Sequence, residues 1–512
     1  MGSTSGLDRT KERNPSVEDN WQLANAVDKI AETRVPKLHG NNRHERLFYA
    51  MFDGSNQTRD RVQNAQDGKV RTAVGYFADA LEVSGRKHGI SVGYQTGVGA
   101  EGNALERIRG LADGTGAVEK IERQYERMCQ QMAEWRKEDP QAQLRVVGMG
   151  FSRGGDQAAA FLRLVHERGV LQPGSKTQYL VEPGKVPQAA LLLDPVATGA
   201  LENTDRRLPS STLYGVQVVS RDERRAGFDS NPILPDGQSK DGRYLSVTVP
   251  GGHGDTAHGH AKDAASVRIE NALVDVVNGF SGKRILEKVP QSKDAYSKLH
   301  DTQWNLPTTL GELFGDTDPG ARKARMSLAP ESKCEQDPKA CYRVDPVDTT
   351  MQKQFHYRPQ EHAPVRETNG PGHVSIDPLN DTLQSPGLKP VLHSAIAAME
   401  SLKTRHPELA HMSAPQLATG AMNHWKSTGA QGMFTEVTLA RGQNGQTNVV
   451  LSDSATTGPA ARREPTTLEA LTRVGFEEGL AQLVQAQSDE RNLQLKQAQL
   501  NTLAQPKHAL MI

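Results

Sequence analysis

The 512-residue sequence predicts an α/β fold: a mostly parallel sheet flanked by helices over residues 46–282, followed by a smaller C-terminal α+β domain. Three observations predict it. Apolar runs of strand length alternate with stretches of helical spacing through the first region, the pattern of repeated strand–helix units. One run passes through Gly150-Phe151-Ser152-Arg153-Gly154 into Asp156-Gln157-Ala158-Ala159-Ala160-Phe161-Leu162, so a G-x-S-x-G turn stands between a strand and a helix. Beyond residue 375 the order changes to two helical patterns followed by two strands.

Residues 1–45 read as a polar lead-in with helical character around 19–33. Leu47-Phe48-Tyr49-Ala50-Met51-Phe52 is a strand that ends in the loop Asp53-Gly54-Ser55-Asn56. A helix is expected near 70–83, a short strand at 90–94, and then the glycine-rich loop Thr96-Gly97-Val98-Gly99-Ala100-Glu101-Gly102. Ile121, Tyr125, Met128 and Met132 share one face of a helix over 116–137, which leads into the strand before Ser152. Further strands are expected at 189–193, 214–219 and 244–249, with a helix at 261–280. Residues 283–374 are rich in Pro, Asp and Lys and read as an extension or linker. Residues 375–512 carry helical patterns at 388–402 and 414–425. Strands follow at 433–439 and 447–451, joined by Asn444-Gly445 turn chemistry. Their tail is dense in glutamine, at Gln482, Gln485, Gln487, Gln494, Gln497, Gln499 and Gln505. Such a tail is either a solvated helix or a segment that orders on a partner.

Lys plus Arg and Asp plus Glu number 61 each, so no whole-chain field favours nucleic acid or anionic lipid, and no nucleic-acid partner is expected. Hydrophobic residues make up 36% of the chain and aromatics 5%, which implies long solvated stretches beside the core. No basic start precedes an apolar run, and no segment approaches the ~18 apolar residues that span a bilayer. Neither a Sec-type signal nor a membrane anchor is therefore expected. Of the three cysteines, Cys129 falls in a helical pattern; Cys334 and Cys341 are close enough to pair or are two unrelated loop thiols.

A serine hydroxyl becomes a nucleophile when a neighbouring base takes its proton and a third group orients that base. In α/β-hydrolases the chain order is Ser, then Asp or Glu, then His. Asp194, at the end of Ala189-Ala190-Leu191-Leu192-Leu193, and His253, between Gly252 and Gly254, follow Ser152 in that order. Both stand just after strands, where the carboxyl ends of a parallel sheet gather functional groups. The oxyanion hole is expected from the N–H of Arg153 and an N–H of the early loop, with Gly54 the best-placed candidate. Asp53 and Asp255 are secondary candidates. This chemistry needs no cofactor and no metal, and calcium is left open. A rival reading makes His253, Asp255, His258 and His260 ligands of a divalent metal in a metal-dependent hydrolase.

Taken together these residues resemble the Tle1-like catalytic domain, the phospholipase family of bacterial type VI secretion effectors. Phe52-Asp53-Gly54-Ser55 looks like the family's F-D-G-T, and Gly97-Val98-Gly99 like its Y-x-x-G-V-G-T. Gly150-Phe151-Ser152-Arg153-Gly154-Gly155 is close to its G-F-S-R-G-A, and Pro250-Gly251-Gly252-His253-Gly254-Asp255 to its P-G-x-H-x-D-x-G-G. Ser220-Arg221-Asp222-Glu223-Arg224-Arg225-Ala226-Gly227-Phe228 resembles its A-L-D-E-x-R-x-x-F. The departures are Leu193-Asp194-Pro195-Val196, which lacks the family's Trp and Thr, and His253-Gly254-Asp255-Thr256-Ala257, which lacks its double glycine. The resemblance covers residues 46–282 and implies an α/β-hydrolase-like catalytic domain with Ser152 as nucleophile, His253 as base and Asp194 as orienting acid. It further implies an A-type phospholipase acting on target-cell glycerophospholipids. Residues 375–510 are similar to the glutamine-tailed recognition domain that Xanthomonas-type bacteria attach to effectors of an antibacterial type IV secretion system. These resemblances imply synthesis in the bacterial cytoplasm, delivery by a type IV or type VI contact-dependent system, and action in the target-cell periplasm or envelope. They also imply a secretion-system coupling protein as partner of the C-terminal domain and a cognate immunity protein as inhibitor. A general carboxylesterase with the same triad, and a hydrolase-like scaffold used only for binding, are the other readings.

Overall fold

A computed structural model describes residues 8–60, 71–101, 116–196, 199–225, 228–257, 264–289, 291–292, 298–304, 328, 344–363, 367–368, 388–409, 412–430, 433–441, 447–453, 462–476, 478–483 and 486. The chain divides into two compact units, residues 1–15 with 22–373, and residues 16–21 with 374–512. In chain order the elements up to residue 304 begin with β1 (Asp8–Arg13), α1 (Val17–Glu32), β2 (Val35–Pro36), β3 (Glu45–Phe52), α2 (Ala73–Gly85), β4 (Ile90–Gln95) and α3 (Ala117–Glu138). Then come β5 (Gln143–Phe151), α4 (Arg153–Arg168), β6 (Val170–Leu171), β7 (Tyr179–Val181), β8 (Gln188–Leu193) and β9 (Thr212–Ser220). The series ends with β10 (Gly237–Gln238), β11 (Tyr244–Val249), α5 (Ala264–Ser281), β12 (Gln291–Ser292) and β13 (Leu299–Trp304).

The central sheet has the order β4-β3-β5-β8-β9-β11-β10. All its pairs are parallel except the short β10 edge on β11. Side chains alternate between two cores. Leu47, Tyr49 and Met51 of β3 join Val147 and Met149 of β5 and Leu191 of β8 on one face. Phe48, Ala50 and Phe52 join Val146 and Leu192 on the other. A strand buried on both faces reads as an unbroken apolar run, which is why β3 and β8 are visible in the sequence. From β3 the chain passes to β4 on one side and then to β5 on the other, so a crevice is expected at the carboxyl ends of β3 and β5.

Glycine brings α4 onto the sheet. A Cβ on Gly148 would lie 3.0 Å from the Leu162 side chain, and one on Gly150 would lie 2.0 Å from the Gly154 carbonyl oxygen. Gly150→Ala is therefore expected to cost about 3 kcal/mol, because backbone rather than a movable side chain must yield. A fall in Tm of several degrees in thermal unfolding checks this; an unchanged Tm would contradict it.

On α5, Glu270 is 3% exposed, and burial pushes its carboxyl up to about 8, with Arg71 acting in the opposite direction. An unfolded glutamate titrates near ~4.3. The fold thus holds the neutral acid, whose stabilising contribution is complete below ~4.3 and is lost as the pH rises through about 8, at ~1.4 kcal/mol per unit between them. Glu270→Gln should gain stability relative to the native chain on going from about pH 5 to about pH 8. Denaturant unfolding at both pH values measures the gap, which should widen by a few kcal/mol.

Two regions of polar sequence contain strands with no apolar signal. β1, in the N-terminal stretch, pairs antiparallel with β13 from Asp8↔Trp304 to Arg13↔Leu299. In the second unit, helices Leu388–Arg405 and Ala414–Ser427 pack with a three-stranded antiparallel sheet of Glu436–Arg441, Thr447–Ser452 and Arg463–Thr467. The third strand was not expected; Pro465 and its charged neighbours suit an edge position, which the strand occupies. Trp425 and Phe434 meet edge-on at 5.9 Å in this unit's core. Asn444 and Gly445, Cys334 and Cys341, and the tail beyond residue 486 lie outside the described residues. Among the described residues no helix is long and apolar enough to cross a membrane.

Candidate active site

Ser152 stands between β5 and α4 with φ 59° and ψ −132°, a backbone conformation that a residue with a side chain adopts only under constraint from its surroundings. The flanking glycines supply that constraint. Besides the contact at Gly150, a Cβ on Gly154 would lie 2.2 Å from the carbonyl oxygen of Phe52, so the first turn of α4 presses against the end of β3. The Ser152 N–H donates to Leu193 O at 2.9 Å, and the Val196 N–H donates to Ser152 O at 3.3 Å. These bonds tie the turn to the end of β8. Arg153 is the first residue of α4, in the turn whose N–H groups point along the helix axis away from the intrahelical ladder.

Asp194 follows β8, is fully buried and has φ 42°. Ser220, at the end of the next strand, donates its N–H to Asp194 Oδ1 at 2.9 Å and its hydroxyl to Oδ2 at 3.0 Å. Asp194 Oδ2 also lies 2.5 Å from His253 Nδ1. With Nδ1 so engaged, the other ring nitrogen is the one left to accept a proton. His253 opens a short 3-10 helix, His253–Thr256, four residues past β11. Its ring stacks on Phe151, with centroids 4.6 Å apart and planes at 27°, and meets the Phe228 ring edge-on at 5.1 Å. The imidazole thus rests on the side chain next to Ser152. Structure brings Asp194 and His253 into contact and sets the histidine ring on the residue that precedes Ser152; the three come from the ends of β5, β8 and β11.

The early loop differs from expectation in one respect. The Gly54 N–H donates to Asp53 Oδ1 at 2.8 Å, so it is not presented to a substrate oxygen. Gly54 instead provides space: a Cβ there would lie 2.5 Å from the Phe151 ring. Asp53 is buried, and its carboxylate also accepts from Thr72 Oγ1 at 2.7 Å and Tyr94 OH at 2.6 Å. Burial, and then the Asp53 charge, push the Tyr94 phenol up, which keeps it a donor. Asp53 therefore fastens the loop. Arg153 reaches the same loop through Nε, which donates to Ser55 Oγ at 2.6 Å.

Asp255 is buried and engaged elsewhere. Oδ2 accepts from the N–H of Gly252 at 2.9 Å and of His300 at 2.8 Å, and Oδ1 lies 2.6 Å from His300 Nδ1. It fixes the histidine loop to β13, a partnership across 45 residues of sequence that no local pattern announces. His258 and His260 lie outside the described residues; among the described residues no group of three or more His, Cys, Asp or Glu is placed to hold a metal ion. Sequence reasoning missed Ser220, Glu223 and Phe228 as neighbours of the site, although all three fall in the fifth motif quoted above.

Residues 46–183 match the model of the type VI secretion system phospholipase effector Tle1-like catalytic domain. Ser152 lies inside that match; Asp194 and His253 lie beyond it. No curated protein matches the chain. Among solved structures, a Tle1 effector bound to the VgrG spike of the type 6 secretion system is similar at 17% identity and TM-score 0.30, covering 43% of this chain and 52% of its own. The chain thus spans about half the length of that effector. An uncharacterized protein from Pseudomonas aeruginosa is similar at 13% identity and TM-score 0.33, covering 81% of this chain and 64% of its own. An acetyl xylan esterase is similar at 11% identity and TM-score 0.18, covering 46% of this chain and 95% of its own.

Proposed function

We propose that the chain is a serine phospholipase of A type, a bacterial effector that cleaves acyl esters of target-cell glycerophospholipids. The observation that carries the reading is the 2.5 Å contact between His253 and buried Asp194, beside a serine in a strained strand–helix turn. The family match over residues 46–183 supports the lipid ester as substrate class.

In this mechanism Ser152 Oγ attacks the ester carbonyl carbon while His253 Nε2 takes the hydroxyl proton. Asp194 holds Nδ1–H and stabilises the imidazolium. The carbonyl oxygen becomes an oxyanion beside the Arg153 N–H, with a second donor drawn from the loop that follows β3. Collapse breaks the bond to the leaving alkoxide, which takes the proton from His253 and departs as the lysophospholipid. Water then attacks the acyl-enzyme, with His253 again as base, and the fatty acid is released. Delivery is by a contact-dependent secretion system to the target-cell envelope, residues 375–512 engage the delivery machine, and an immunity protein protects the producing cell.

Comparison of phosphatidylglycerol–phosphatidylethanolamine vesicles with a short soluble acyl ester tests the substrate class. Release of fatty acid and lysophospholipid from vesicles is expected, with the short ester the poorer substrate. Turnover of the short ester alone would make the chain a general carboxylesterase. Activity should survive EDTA, because no step uses a metal; loss with EDTA and recovery with added divalent cation would move the chemistry to the rival metal reading.

A further inference from the structure

We propose that Glu223 is a positioning residue for His253, acting on the imidazole through the loop backbone and through Arg225 and Phe228. The inference rests on the reading of Ser152 as nucleophile and His253 as base. The mechanism above needs the histidine ring held in one orientation, yet His253 lies between two glycines, whose backbone freedom works against that. Three carboxylates offset it. The N–H groups of Gly251, Gly252 and His253 donate in turn to Asp222 at 2.8 Å, Asp255 at 2.9 Å and Glu223 at 3.3 Å.

Among the described residues, Glu223 also connects to the ring, through Arg225 and Phe228. Its side chain is fully buried. Oε1 accepts from the N–H groups of Arg224 at 3.0 Å and Arg225 at 2.8 Å and from Arg225 Nε at 3.0 Å. Oε2 accepts from Arg225 Nη2 at 2.9 Å. This paired, two-point grip fixes the guanidinium plane, which lies over the Phe228 ring with Cζ 3.8 Å from its centroid. Phe228 in turn presents its edge to His253 at 5.1 Å and 76°, while Phe151 covers the ring at 4.6 Å. Asp194 fixes the ring at Nδ1. Without the stack ordered by Glu223, the imidazole would still bond Asp194 but could tilt about that bond and carry Nε2 away from the serine.

The test uses the full chain and a fluorophosphonate probe, which reacts only when the serine is activated. Glu223→Ala is expected to slow labelling of Ser152 and lower kcat by about 100-fold, the scale of loss for roughly 1 Å of misplacement, with KM within about threefold of native because no substrate contact is removed. Glu223→Gln keeps a neutral acceptor for the backbone N–H groups and should recover about tenfold of that loss. Phe228→Leu keeps the carboxylate and removes the ring edge; about tenfold slower labelling is expected. Labelling and kcat at native values in folded Glu223→Ala overturn the proposal, as does a rise in KM with kcat unchanged. If Glu223→Ala does not fold, Glu223→Gln and Phe228→Leu decide, and native labelling rates in both overturn it. A native chain that takes no label at Ser152 overturns the nucleophile reading and this inference with it. A labelled native chain with unaffected variants overturns this inference alone.

Discussion

Ser152→Ala is expected to lower kcat for phospholipid hydrolysis by about 10⁴–10⁶-fold, the scale on which loss of a nucleophile is felt in a site of this type. Substrate binding should be nearly unchanged, since the hydroxyl adds little to ground-state affinity. Stability should hold or rise slightly. The residue at 152 must keep φ 59° whatever its side chain, and the Ser152 N–H bond to Leu193 O and the Val196 N–H bond to Ser152 O are backbone interactions that alanine retains. A vesicle assay with purified protein, together with a thermal melt, separates the two effects. Activity of the alanine variant within tenfold of native, at equal Tm, would remove Ser152 from the chemistry.

Asp194→Asn should have the second-largest effect, a loss in kcat of about 10³–10⁴-fold. The buried carboxylate accepts from Ser220 twice and faces His253 Nδ1, so both of its oxygens are used as acceptors. An amide in its place has one oxygen and one NH₂ group, and the Ser220 N–H and hydroxyl compete for that oxygen. Turned so that the NH₂ meets the imidazole, it selects the tautomer with the proton on Nε2, which cannot accept from the serine. The loss should be greatest near neutral pH. Less than a tenfold change in kcat, with labelling of Ser152 at the native rate, would place the orienting acid elsewhere.

The reach of sequence reasoning follows from which interactions are local. The central strands were legible because burial on both faces leaves no polar residue within Leu47–Phe52 or Ala189–Leu193. The turn at Ser152 was legible because its two glycines are demanded by backbone within the same β5–turn–α4 unit and at the end of β3. β1 and β13 were not, since neither Asp8–Arg13 nor Leu299–Trp304 has an apolar face and their pairing joins distant segments. The same limit applies to the oxyanion loop. That Gly54 would come close to the nucleophile turn could be read from Asp53-Gly54-Ser55; which way its N–H points could not, because Thr72 and Tyr94 help hold the Asp53 carboxylate that captures it. Asp255 stands close to His253 in sequence, and the position of His300 shows its carboxylate engaged in tying the histidine loop to a strand.

Intact-mass measurement after treatment with a fluorophosphonate tests the central claim most directly, because it reports activation of one serine without assuming a substrate. The native chain should gain the mass of a single adduct, mapped by peptide analysis to Ser152, and Ser152→Ala should gain none under the same conditions. An unmodified native chain, or an adduct that persists in Ser152→Ala, would contradict the account.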